Sequence, residues 1–139
     1  MVQATLNSVD ADLLTQSYGR CIANAAFLDS FYNRFTNKSP VIADMFNNTD
    51  MAVQKQLLRS GISFLTQFAK GSEFAAKKVD ALGKSHSRSE LNISPRLYPL
   101  WVSALIETLA EYDTDWSPKL EAAWRDALKK GIDRIISQY

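Results

Sequence analysis

Three Ser-Pro pairs, Ser39-Pro40, Ser94-Pro95 and Ser117-Pro118, punctuate a chain in which Pro99 is the one remaining proline. A serine ahead of a proline suits a helix start. The hydroxyl can accept from the first unpaired N–H groups, and proline at the first helical position gives up a donor that had no partner there. Around these starts the apolar residues recur at three- and four-residue steps, the mark of one buried helix face, and the alternation of a half-buried strand is nearly absent. The pattern predicts an all-α chain. Helices are expected from Ser8 or Asp10 to about Ile22, from 24 to 37, and from Pro40 to the polar run at 47–50. Longer ones follow from Met51 to about Lys70, stopped by Gly71, and from Glu73 to His86. After a linker of about eight residues come helices at 95–112 and 118–138, with Pro99 in the first turns of the former or its start shifted to Tyr98.

Composition narrows the class further. With 139 residues, 46% apolar and 22% charged, the chain can bury one core without disulfides, so residues 1–139 are read as a single domain. Sixteen basic residues against fifteen acidic ones give a formal charge of +1, and no basic run tracks a phosphate backbone, which argues against nucleic acid as a partner. A single cysteine, Cys21, fits a small buried hydrophobe in a reducing cytoplasm. The opening stretch MVQATLNSVDADLL has neither a cationic start nor an apolar run, and no window approaches the roughly 18 apolar residues of a membrane span. Neither secretion nor insertion in a membrane is expected.

Three polar residues sit inside apolar stripes, where an unpaired polar group costs on the order of 1–3 kcal/mol. His86, the chain's one histidine, falls four residues after Leu82 and seven after Val79. Gln54 lies three after Met51 and four before Leu58, on the stripe continued by Ile62, Leu65 and Ala69. Tyr32 lies four after Leu28 and three before Phe35. Taken singly, each has a plain structural reading: a satisfied core histidine, a glutamine reaching water, a tyrosine bonded to a carbonyl. There is no Gly-rich phosphate loop, no second metal ligand at i+4 and no nucleophile beside a base, so a zinc site or a catalytic triad is hard to build.

Taken together, these residues resemble the bacterial single-domain globins. The stretch FLDSFYNRFTNKSPVIADMF is similar to the globin segment in which a tyrosine faces the pocket, a proline opens a short third helix and a phenylalanine packs on the haem, here Tyr32, Pro40 and Phe46. The stretch LGKSHSRSELNISPRLYPLW resembles the proximal segment, with Leu82, His86, Ile93 and Tyr98 at the matching places. EAAWRDALKKGIDRII resembles the final helix, so the likeness spans nearly the whole chain.

The resemblance implies a globin fold, a three-over-three helical sandwich enclosing haem b. His86 would be the iron ligand, oriented through its second nitrogen by the Leu82 carbonyl, the Ser85 hydroxyl or Tyr98. Tyr32 and Gln54 would face the gas, with Lys55 or Gln56 replacing Gln54 if the register slips. Phe46, Leu58, Ile62, Leu82, Ile93 and Tyr98 would wall the haem, and Arg59 and Arg88, with Lys55 and Arg96 behind them, would meet its carboxylates. The implied function is reversible and tight binding of dioxygen, nitric oxide and carbon monoxide. Alternatives are a nitric oxide dioxygenase or peroxidase-like enzyme served by an external reductase, and a gas sensor acting through a partner. Apolar residues of the last two helices, Trp101 among them, are expected at the surface, which leaves both a monomer and a homodimer open.

Overall fold

The computed structural model describes residues 8–139, and the side chains from residue 12 onward; the opening residues 1–7, read above as carrying no leader, lie outside the described residues. Seven α-helices and no strand occur among the described residues: α1 Ser8–Ile22, α2 Phe27–Thr36, α3 Pro40–Met45, α4 Met51–Ala69, α5 Glu73–His86, α6 Tyr98–Tyr112 and α7 Pro118–Ile136.

All three Ser-Pro pairs start helical segments. Ser39 accepts from the Val41 N–H at 3.1 Å, Ser94 from Arg96 N–H at 3.3 Å and Ser117 from Leu120 N–H at 3.1 Å. Both starts weighed for the sixth helix exist: Pro95–Leu97 forms a single 3₁₀ turn, and α6 proper begins at Tyr98 with Pro99 in its first turn. Asp50 caps α4 by accepting from Ala52 and Val53, and Ser72 caps α5 through Ala75 N–H. Gly71, at φ +92, takes the left-handed conformation that ends α4 and that side chains resist. α2 starts three residues later than the periodicity suggests, because the Asn24 side chain accepts from the Ala26 N–H at 2.9 Å and holds the preceding segment in a turn.

The helices pack as two layers, α1, α4 and α5 against α2, α6 and α7, with α7 touching every member of the first layer. One contiguous apolar core runs between them, built around Leu14, Phe27, Phe31, Ile62, Leu105, Leu109, Trp124 and Leu128. At one end of it a buried polar chain ties three elements. The Trp124 indole donates to Ser17 Oγ at 3.0 Å, Ser17 donates to Asp113 Oδ2 at 2.6 Å, and Arg20 grips the same carboxylate from Nε at 2.6 Å and Nη2 at 3.0 Å. Burial raises the Asp113 pKa, but the donors from Arg20, Ser17 and the Asp115 N–H outweigh it and hold the carboxyl below the usual range.

Where α4 crosses α7, the Leu65 side chain packs directly over Gly131, so that a Cβ on Gly131 would strike it. Gly19, exposed in α1, has open space instead. Gly131→Ala is therefore expected to lower the unfolding free energy by about 1–3 kcal/mol through overpacking. Gly19→Ala should raise it by roughly 0.5–1 kcal/mol through chain entropy alone. Urea denaturation of both variants checks the contrast.

Candidate functional site

The two layers do not close on each other everywhere. Between α4 and α5, floored by α6 and α7, lies a cavity of about 710 Å³, within the range of roughly 300–1,000 Å³ typical of small-molecule sites. Its wall is overwhelmingly apolar: Phe35 from α2, Phe46 after α3, Leu58, Ile62 and Leu65 from α4, Leu82 from α5, Trp101 from α6, and Ile132 and Ile135 from α7. Polar groups enter it at two opposed places, from α5 on one side and from α2 and α4 on the other.

On the α5 side, His86 presents its ring to the cavity from the last turn of the helix. Its Nδ1 lies 2.8 Å from the Leu82 carbonyl, one turn back, and 3.0 Å from Ser85 Oγ, which itself donates to that carbonyl at 3.0 Å. The carbonyl can only accept, so Nδ1 carries the proton and Nε2 is left with its lone pair. No group among the described residues bonds to Nε2. Tyr98, the third group considered for orienting the ring, lines the cavity without bonding to it. Burial pushes the imidazole pKa below its ordinary 6.5, with the Leu82 carbonyl opposing, so the ring stays neutral near pH 7.

Across the cavity, Tyr32 and Gln54 meet. The Gln54 amide Nε2 donates to the Tyr32 hydroxyl at 3.1 Å, and that hydroxyl donates onward to the Gln54 backbone carbonyl at 3.4 Å, a weak bond that a better acceptor in the cavity can replace. Burial drives the Tyr32 pKa up to about 12, only partly offset by the Gln54 bond, so the phenol keeps its proton. Its ring is fixed edge-on between Phe31 and Phe46, at 5.1 and 5.5 Å between centroids.

Of the residues named from sequence, Tyr32, Phe46, Gln54, Leu58, Ile62, Leu82, His86, Ile93 and Tyr98 all line this one cavity. Of the three residues weighed at this position, Gln54 lines the cavity, whereas Lys55 reaches Asp29 at 2.8 Å and Gln56 is exposed and outside the lining.

The cations expected near carboxylates stand outside the cavity lining. Arg59 is exposed on α4, its backbone carbonyl accepting from Tyr18 Oη at 2.9 Å, and Arg88 is exposed and lies over the Tyr139 ring at 4.6 Å; Arg96 does not line the cavity either. Trp101 is not a surface residue. It is half-buried, packs on Phe31 at 5.9 Å between ring centroids and closes the cavity floor. The exposed large apolar side chains are Val41, Met45, Val53, Leu57, Phe74 and Leu91, and Met45, Leu57 and Leu91 stand at the cavity rim. Sequence reasoning also missed Lys78, which lines the cavity from α5 and falls four residues before Leu82 and eight before His86, on the same stripe.

The residues present fit a haem. A flat apolar ring matches the apolar walls, and the neutral imidazole offers a single unpaired nitrogen lone pair toward the space the ring would fill. Tyr32 and Gln54 add two protonated donors to the cavity wall.

Comparison with known proteins places this arrangement. The family model described as Globin matches residues 17–135. A crystal structure of a protein from Pseudomonas aeruginosa PAO1, described as structurally highly homologous to a human haemoglobin, is 47% identical and superposes with a TM-score of 0.89, covering 94% of this chain and 98% of that one. No curated protein matches the chain.

The depressed His86 pKa has a thermodynamic consequence with a fixed sign. Unfolding restores the ordinary 6.5, so below that pH the unfolded chain takes up a proton that the folded one resists, and stability falls as pH drops toward the folded value. Urea titrations of the cofactor-free protein between pH 7.5 and 5 should show this loss in the parent. The loss should be smaller in His86→Gln; equal slopes would show that the histidine does not titrate differently on folding.

Proposed function

The chain belongs to the globin family, and we propose that it is a haem-iron protein that binds dioxygen and other diatomic gases reversibly. The observation that carries this reading is the unpaired Nε2 of a neutral, half-buried His86 lining an apolar cavity that also holds the Tyr32–Gln54 donor pair.

Haem b, when bound, supplies an iron with one coordination position open to a diatomic gas. The protein's part is played by three features. Leu82 and Ser85 fix the His86 ring plane and tautomer, so Nε2, the nitrogen that would hold the iron, is the unprotonated one. Phe35, Phe46, Leu58 and Ile62 keep water away from the site. Tyr32 and Gln54 offer O–H and N–H donors to a polarised ligand, and they exchange their mutual bonds for bonds to it. Because a polarised ligand gains more from such donors than a weakly polar one, the pair favours dioxygen over carbon monoxide and slows its release.

Absorption spectra of the purified protein, ferric, reduced, and reduced under oxygen, test the reading directly. A Soret band is expected in the parent and a weakened or altered one in His86→Ala. A parent that shows no Soret band after reconstitution with haem would refute it. Stopped-flow displacement then tests the donors. Tyr32→Phe and Gln54→Leu should each release dioxygen about tenfold faster or more, the scale of one lost hydrogen bond to a polarised group, while carbon monoxide release changes much less. An unchanged dioxygen rate in both variants would remove Tyr32 and Gln54 from the proposed role.

A further inference from the structure

Opposite charges are matched over much of the surface and unmatched along α5. Arg20, Arg34, Lys38, Lys55, Arg125 and Lys129 each hold a carboxylate at 2.6 to 3.0 Å. Lys77, Lys78, Lys84, Arg88 and Arg96 are all exposed, and none of them pairs with a carboxylate among the described residues. Asp80 and Glu90 are the acids of this stretch, and Arg134 already takes Asp80 at 2.7 Å. Residues 77–96 thus carry a formal charge of +3 in a chain whose total is +1. The other unmatched cations, Arg59, Lys119 and Lys130, are scattered over α4 and α7.

These charges cluster where the cavity meets water. Ala81 and Leu91 are exposed and also line the cavity. Lys77 and Lys78 fall four and three residues before Ala81, and Lys84 three after it, the spacings that set side chains beside one another on a helix. Lys84 is two residues, roughly 3 Å of helix rise, from His86. Phe74, 62% exposed, continues the stripe one turn before Lys77 and Lys78, and Leu91, 64% exposed, stands in the loop that leads to Arg96. A few apolar side chains among charges of one sign make a face for brief docking: charge steers the encounter, and a small apolar centre keeps the contact short-lived.

The chemistry of the site says what an occupant of this face would bring. Dioxygen binds ferrous iron, and iron that has become ferric returns to that state by taking up one electron, with no bond made or broken. The single, buried Cys21 leaves the chain without a dithiol to supply it. We propose that the face bearing Phe74, Lys77, Lys78, Lys84, Leu91 and Arg96 docks a one-electron donor protein with an acidic surface, which passes its electron to the iron held by His86. This rests on the haem reading above and adds where the donor sits and which charge it carries.

The probe is flavodoxin, an acidic flavoprotein that carries single electrons. Its oxidised form is titrated calorimetrically into the haem-loaded protein at low salt, and its reduced form is mixed with the ferric protein in stopped flow. The double variant Lys77→Glu, Lys84→Glu should weaken binding about tenfold or more, flatten its salt dependence and slow reduction by a similar factor. Lys119→Glu with Lys130→Glu, the same change of net charge placed on α7, should stay within about twofold of the parent. Equal losses in the two double variants would mean attraction by net charge alone, and would overturn the proposal. So would a parent that does not bind flavodoxin, or an α5 variant that binds weakly yet is reduced at the parent's rate. Vesicles of phosphatidylglycerol and phosphatidylcholine complete the test: binding to them that needs Lys77 and Lys84, with none to flavodoxin, would assign the face to a membrane surface instead. A parent with no Soret band after reconstitution would overturn the haem reading, while calorimetry on that protein still decides whether the face docks an acidic partner.

Discussion

The hydrogen bond from His86 Nδ1 to the Leu82 carbonyl determines what the cavity can hold. A carbonyl one turn back accepts and never donates, so it assigns the proton to Nδ1 and leaves Nε2 as a bare lone pair pointing into an apolar space. An imidazole left free to rotate would present either nitrogen, and a charged one would present none. Burial and the carbonyl act together here: one keeps the ring neutral, the other tells its two nitrogens apart. The distal wall shows the same economy. Tyr32 and Gln54 satisfy each other, so neither donor is orphaned, yet the bonds of 3.1 and 3.4 Å are long enough to be traded for a better acceptor.

The sheltering of this site depends on one contact at its edge and on others far from it. Gly131 lets α7 press against α4, and the chain from Trp124 through Ser17 to Asp113 and Arg20 locks α1 to the α6–α7 corner. These contacts hold the core together beside the cavity and at its far end.

Much of this was legible in the chain because helices write their boundaries and faces locally. The Ser-Pro pairs name their own capping partners, and the stripes through Leu28 and Phe35, through Met51 and Leu58, and through Val79 and Leu82 are enough to turn Tyr32, Gln54 and His86 inward. What could not be read locally depends on a second element. Ser17 looks like a polar interruption of α1 until Trp124 and Asp113, about a hundred residues away, come to it. Trp101 lies on a helix that is apolar around much of its circumference, so its pattern does not say which side is covered. Arg59 and Arg88 were selected by charge and nearness in sequence, whereas Tyr18 and Tyr139 occupy their surroundings. Lys78 was the missed signal: it shares the stripe of Leu82 and His86, but a lysine near the start of a helix reads as a solvated charge.

The far end of α7 holds α5 from outside the cavity. Arg134 clasps Asp80 with two bonds, at 2.7 and 2.9 Å, the Gln138 side chain adds a third at 3.3 Å, and it lies over Gly83, where a Cβ would strike it. Tyr139 continues the clasp past the helix end, bonding Asn92 at 2.7 Å in the loop that carries Leu91 and Ile93 to the rim. Exposed bonds of this kind are individually weak, but as a set they attach the ligand-bearing helix to its neighbour by contacts in which the cofactor takes no part. The position of α5, and with it the direction in which His86 faces, is thus set by the outer surface of the chain as well as by its core.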